Sequence, residues 1–200
     1  VALEKQIASE IPGFAVKKTF MIARPVQQLV RGINFDRSAY DKVSFSVTAF
    51  AMPLCVPAEY FGFTFGVRIR HDGGGDRWSM DMPGLEAKLI GALKQQAVPF
   101  LSRCDTLQGF IELARTSSRT GRTLEGLGYA LARSCDAKQA IEIFDQIVPM
   151  LNLDIGWQRE LADRVSALSA KLIEHPEEAQ NQLAQIEEQT IRNLGLEGLR

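Results

Sequence analysis

The chain has 200 residues, 46% of them hydrophobic and 24% charged, with a formal net charge of −1. That length makes one large domain or two small packed ones, and the composition excludes a disordered chain. The near-neutral balance excludes whole-molecule attraction to nucleic acid or to a membrane surface. Residues 1–100 hold 12 Lys/Arg against 9 Asp/Glu and residues 101–200 hold 11 against 15, so neither half reads as a polyanion binder.

Three cysteines, Cys55, Cys104 and Cys135, are widely spaced with no CxxC pair. An odd, scattered set argues against a disulfide framework or a zinc knuckle and for free thiols in a reducing, cytoplasmic setting. No run of about 18 apolar residues occurs, so no transmembrane helix is predicted. The chain opens on Val rather than Met, with no leader pattern at its start.

In chain order, residues 1–9 carry Leu3 and Ile7 one helical turn apart, and Pro12-Gly13 ends that pattern. Four strand candidates follow. The first, Phe14 to Arg24, puts Phe14, Val16, Phe20 and Ile22 on one face; Arg24-Pro25 breaks it. The second, Val26 to Asp36, shares Leu29, Ile33 and Phe35, with Arg31 interrupting. The third, Lys42 to Phe50, alternates Val43, Phe45 and Val47 with hydroxyl residues. The fourth, Phe61 to Arg70, alternates Phe61, Phe63, Phe65, Val67 and Ile69 with Gly, Thr and Arg. A period of two predicts half-buried strands in an antiparallel sheet with one wet face.

The remainder is helical. One helix is predicted from Gly84 to Gln96 on the stripe Leu85, Leu89, Leu93. Asp105 with Gln108, and Asp136 with Gln139, read as capped helix starts. Between them Thr123 to Ser134 forms a helix after a polar linker, and the Asp136 helix runs to about Leu151. The stripe Trp157, Leu161, Val165, Leu168, Leu172 reads as the core face of a long helix. His175-Pro176 opens a last helix that Gly195 ends. The predicted class is α+β: an antiparallel sheet of about four strands packed by helices in residues 1–100, then an all-helical hairpin region in 101–200 packed on it as one unit.

Leu124, Leu127 and Gly128 on one helix, with Ala140 and Phe144 on the next, fall at tetratricopeptide offsets. Residues 124–147 therefore resemble a single tetratricopeptide hairpin. The pattern departs at its first large position, Leu124 instead of Trp, and at its closing proline, Asn152. One repeat earlier, Lys94 and Thr106 stand where small residues belong, so no repeat array is read. The chain as a whole is similar to bacterial proteins with a sheet-containing front and a helical back, some of which act as immunity or accessory proteins.

The most unusual stretch is the glycine-rich loop from His71 to Trp78. Arg68, Arg70, His71, Asp72, Asp76, Arg77 and Trp78 are the candidate ligand- or anion-binding residues: arginines for a phosphate or an acidic partner, Asp72, Asp76 and His71 for a cation. The loop lacks the ligand spacing of a calcium loop and the Gly-Lys-Ser/Thr ending of a phosphate loop. A flexible hairpin turn is the alternative. The linker Arg115 to Arg122 offers a second basic, hydroxyl-rich segment, and a helix N-terminus is placed to lower the pKa of Cys104 or Cys135. No catalytic constellation, cofactor or metal set is read. The expectation is a non-enzymatic protein-interaction or accessory module with a protein partner, without membrane or nucleic-acid ligands. A homodimer stays open through the last helix. The rival is a small-ligand-binding protein or enzyme using the His71–Trp78 loop at the sheet rim.

Overall fold

A computed structural model of the chain describes residues 2–41 and 43–200. Val1 and Lys42, the first residues of two predicted elements, lie outside them. The order is α1 (Ala2–Glu10), β1 (Phe14–Lys17), β2 (Phe20–Ala23), β3 (Leu29–Arg37), β4 (Ser44–Pro53), β5 (Phe65–Arg68) and β6 (Arg77–Ser79). Seven helical segments follow: α2 (Leu85–Ala92), α3 (Val98–Arg103), α4 (Leu107–Arg115), α5 (Gly121–Arg133), α6 (Ala137–Ile147), α7 (Gly156–Glu174) and α8 (Pro176–Leu194). The α+β class and the succession of sheet then helices are as the sequence predicts.

Among the described residues the sheet has six antiparallel strands in the order β1-β2-β3-β4-β5, with β6 also pairing β4. The first predicted strand is in fact the β1–β2 hairpin, in which Lys17 pairs Phe20 and Val16 pairs Met21. Lys18 takes the turn with a φ of 54°, which a lysine seldom adopts. Phe14 and Val16 therefore pack with Met21 toward α1 and α2, while Phe20 and Ile22 join a separate cluster.

The two sheet faces bury different partners. Ile33, Phe35, Phe45, Val47, Ala49 and Ile69 pack under α1, α2 and α3. Further along the same face, Leu29, Ala51 and Phe65 meet the core of α4 to α8. Asp36, Ser46 and Arg68 keep one end of the reverse face open to solvent, but the rest is covered: Ile22, Val30, Phe50 and Met52 pack against Ile191, Leu194 and Leu196. The chain between β4 and β5 helps to cover it, because Phe61 and Phe63 fold back instead of extending β5. Their rings lie 4.4–6.4 Å from those of Phe20 and Phe50, where edge and offset contacts between rings are favourable.

Helix α5 is buried on every side from Thr123 to Ala132. Small residues make that possible. A Cβ on Gly126 would stand 2.5 Å from the Phe65 ring, and one on Gly128 would overlap the Phe144 ring, so both glycines are sites of close approach. Capping follows the hydroxyl and carboxylate rules. Asp136 caps α6 by accepting from Gln139 N–H at 3.1 Å. Thr120 and Thr123 form a reciprocal capping box on α5. The α4 cap is Thr106, which accepts from Gly109 N–H at 3.1 Å, rather than Asp105. Gly195 ends α8 at a φ of 61°. No described helix is long and apolar enough to cross a membrane.

Candidate functional site

The His71–Trp78 loop is not a hairpin turn. β5 and β6 run in the same direction along one edge of β4, with Thr48 opposite Arg68 and Ser46 opposite Arg77. They are two pieces of one edge strand, and the loop is an outward excursion between them. It closes on itself. His71 N–H donates to Gly75 O at 2.9 Å, Gly74 N–H to His71 O at 2.8 Å, and Gly73 N–H to His71 Nδ1 at 3.1 Å. These glycine amides are turned toward His71, which leaves them unsuited to cradling an anion.

The structure brings together only some of the predicted residues. Arg68, Asp76 and Arg77 line a cleft of about 420 Å3 with Arg37 and Tyr40. Arg68 donates to Ser46 Oγ; Arg77 donates to Ser38 Oγ and to Asp41 Oδ2, each at 3.2 Å. The Ser44 N–H, with Arg77 adding to it, holds the Asp41 carboxyl below its ordinary range. Asp36 and Asp76 line the same cleft, so its arginines face comparable negative charge. His71 and Asp72 stay in the excursion, outside the cleft lining. The Arg70 side chain is exposed, while its backbone is bracketed by Gln96, which accepts from Arg70 N–H at 3.0 Å and donates to Arg70 O at 2.8 Å. That amide occupies the sheet edge where another strand would pair. Trp78 is 0% exposed and donates Nε1–H to Ile69 O at 3.0 Å. It is a core residue and offers no surface to a ligand.

The other sequence candidates are absorbed by structure. Arg115 and Arg119 donate to Gln139 and Gln146 on α6, and the hydroxyls of Thr120 and Thr123 cap α5. Burial pushes the Cys55 thiol up to about 12 and the Cys104 thiol up to about 11, opposite to the lowering predicted for Cys104. Cys135 alone of the three is exposed. Ellman's reagent at about pH 8 is expected to label Cys135 in the folded protein and all three thiols only after unfolding, since thiolate and access are both required. Native labelling of two or more thiols per chain contradicts this burial. Among the described residues no group of three or more His, Cys, Asp or Glu gathers as a metal site.

The feature that sequence reasoning missed lies at the other end of the molecule. From the end of α6 into the first turn of α7, Met150, Leu153, Ile155 and Trp157 are 40–50% exposed. The segment is held in place. Asn152 N–H donates to Gln158 Oε1 at 2.6 Å and Arg159 Nε–H to Leu153 O at 2.8 Å. The Arg122 guanidinium stands 4.9 Å from the Trp157 ring centroid, within cation–π range. Arg122 and Arg164 share the buried carboxylate of Glu125, at 3.2 and 2.5 Å. Arg122 and Glu125 also line an apolar pocket of about 220 Å3 with Met52, Val56, Tyr60 and Phe65. Tyr60 is 80% exposed. The surface thus runs from Tyr60 across Arg122 to Trp157 and the α6–α7 connection.

These features define an α+β protein that presents a fixed apolar and arginine-bearing surface at its helical end. Comparison with known protein families, with curated proteins and with solved structures finds no match.

Proposed function

We propose that the protein is an interaction module that docks a protein partner on the surface centred on Trp157 and Arg122. The observation that supports this reading is the run of exposed Met150, Leu153, Ile155 and Trp157, fixed by hydrogen bonds to the first turns of α7. Contiguous apolar exposure rimmed by polar groups marks interaction surfaces. Tyr, Trp and Arg are the residue types that anchor them. The α5–α6 hairpin, which resembles one tetratricopeptide unit, backs this surface, and the pocket beside Tyr60 fits an apolar side chain of the partner.

The test compares the parent protein with Ile155→Ser/Trp157→Ala as baits in host lysate, followed by titration of the purified partner. Both positions are exposed, so the variant is expected to fold and melt like the parent. Loss of roughly tenfold or more in affinity, about 1.4 kcal/mol, is expected of a hot-spot tryptophan. Equal affinity for parent and variant refutes the reading.

A further inference from the structure

Arg31 occupies an unusual place. Strand alternation puts it on the same face of β3 as Leu29, Ile33 and Phe35, all of them core residues. It sits at the seam where that face changes from the α1–α3 cluster to the α4–α8 cluster. Arg31 is half-buried there, and a guanidinium drawn partly out of water calls for acceptors. One of its donors reaches Leu101 O at 3.2 Å. None of the ion pairs among the described residues involves it.

Arg31 lines a cleft of about 410 Å3 between the end of α1, the open end of the β1–β2 hairpin and α3. The cleft walls include Ile11, Phe14, Val98 and Leu101. Arg24 and Lys94 line it too, against a single acid, Glu10. Neither Arg24 nor Lys94 takes part in an ion pair among the described residues. Lys94 belongs to a π-helical turn, Leu93–Ala97, inserted between α2 and α3. Such one-turn insertions often re-aim side chains at functional sites. Three cations against one carboxylate leave a surplus of positive charge beside apolar walls, in a cleft whose volume falls within the usual range for small-molecule sites.

We propose that this cleft binds a small organic dianion with an apolar body, its charged end held by Arg24, Arg31 and Lys94 and its body against Phe14 and Val98. Guanidinium forks match the paired oxygens of phosphate and carboxylate, so a phosphate monoester and an aromatic dicarboxylate share the required chemistry. The cleft lining contains none of the residues of the Trp157 surface, so the proposal goes beyond the docking role and stands or falls separately.

The experiment titrates the full chain with 1-naphthyl phosphate by calorimetry at low ionic strength, alongside phthalate, inorganic phosphate and 1-naphthol. Saturable one-to-one binding of 1-naphthyl phosphate, phthalate or both is expected, and which of the two binds more tightly identifies the charged group. Inorganic phosphate and 1-naphthol are expected to bind at least about tenfold more weakly, because each lacks half of the recognised chemistry. Arg31→Met should weaken binding by a similar factor. Arg24→Gln/Lys94→Gln, at two exposed positions, gives the same readout should Arg31→Met fail to fold. Trp157→Ala is expected to leave it unchanged. Absence of saturable binding by both dianions, or unchanged affinity in the double variant, overturns the proposal.

Discussion

Trp78→Ala is expected to lower the unfolding free energy by about 3–5 kcal/mol, seen as a fall in urea midpoint with little change in slope. The indole is 0% exposed and sits opposite Phe45 across the β4–β6 pair. Removing it leaves a cavity beneath α2 and strips Ile69 O of its indole donor. It also loosens the return of the edge strand after the excursion, since Trp78 is the middle residue of β6. Trp78→Phe keeps most of the packing, so its cost is expected to be smaller, at about 1–3 kcal/mol. Trp157→Ala provides the contrast. That ring is 45% exposed, and its removal is expected to shift stability by no more than about 1 kcal/mol. Equal stability losses at the two tryptophans would contradict this division between a structural and a surface indole.

The same two residues illustrate what a linear sequence carries. Helical periodicity identified Leu161, Val165, Leu168 and Leu172 correctly, because each is buried in the core that α4 to α8 share. Trp157 has the same spacing but sits in the first turn of α7, where the packing partners stop. Local chemistry was equally readable where the signal was local: Asp136 with Gln139 at one helix start, Gly195 at one helix end. It failed where a turn used an ordinary residue. Lys18 adopts a positive φ without glycine or proline to announce it, so a hairpin read as one strand. The Phe61–Ile69 alternation is real in sequence, yet only Phe65 onward pairs with β4.

The candidate site was legible to the same limited extent. Composition pointed to the glycine-rich loop and its flanks, and three of the seven candidate residues, Arg68, Asp76 and Arg77, do line one cleft. That the glycines serve His71, and that Gln96 brackets Arg70, depends on contacts spanning a few to some two dozen residues. The Arg122–Trp157 stack and the Arg24, Arg31 and Lys94 cleft depend on tertiary placement alone. Neither leaves a motif in the chain.

Glu125 is the sharpest case of a residue whose role only the fold defines. Its side chain is 2% exposed inside α5, between Leu124 and Gly126. Its partners are Arg122, one turn away, and Arg164, 39 residues on in α7. Glu125→Gln keeps the shape and removes the charge, leaving the part-buried Arg164 without its carboxylate. The expected loss is about 3 kcal/mol, the scale measured when one member of a buried pair is deleted. Arg122→Gln should cost less, because that side chain is 46% exposed. A double-mutant cycle of Glu125→Gln with Arg164→Met separates pairing from packing. Coupling of about 1.5 kcal/mol or more is expected, since the second change removes the charge that the first left stranded. Because Glu125 also supports Arg122 beside Trp157, Glu125→Gln is expected to weaken binding of the proposed partner even where the variant remains folded. Coupling near zero, with affinity for the proposed partner unchanged, would mean that the two arginines hold neither the helix nor the Trp157 surface.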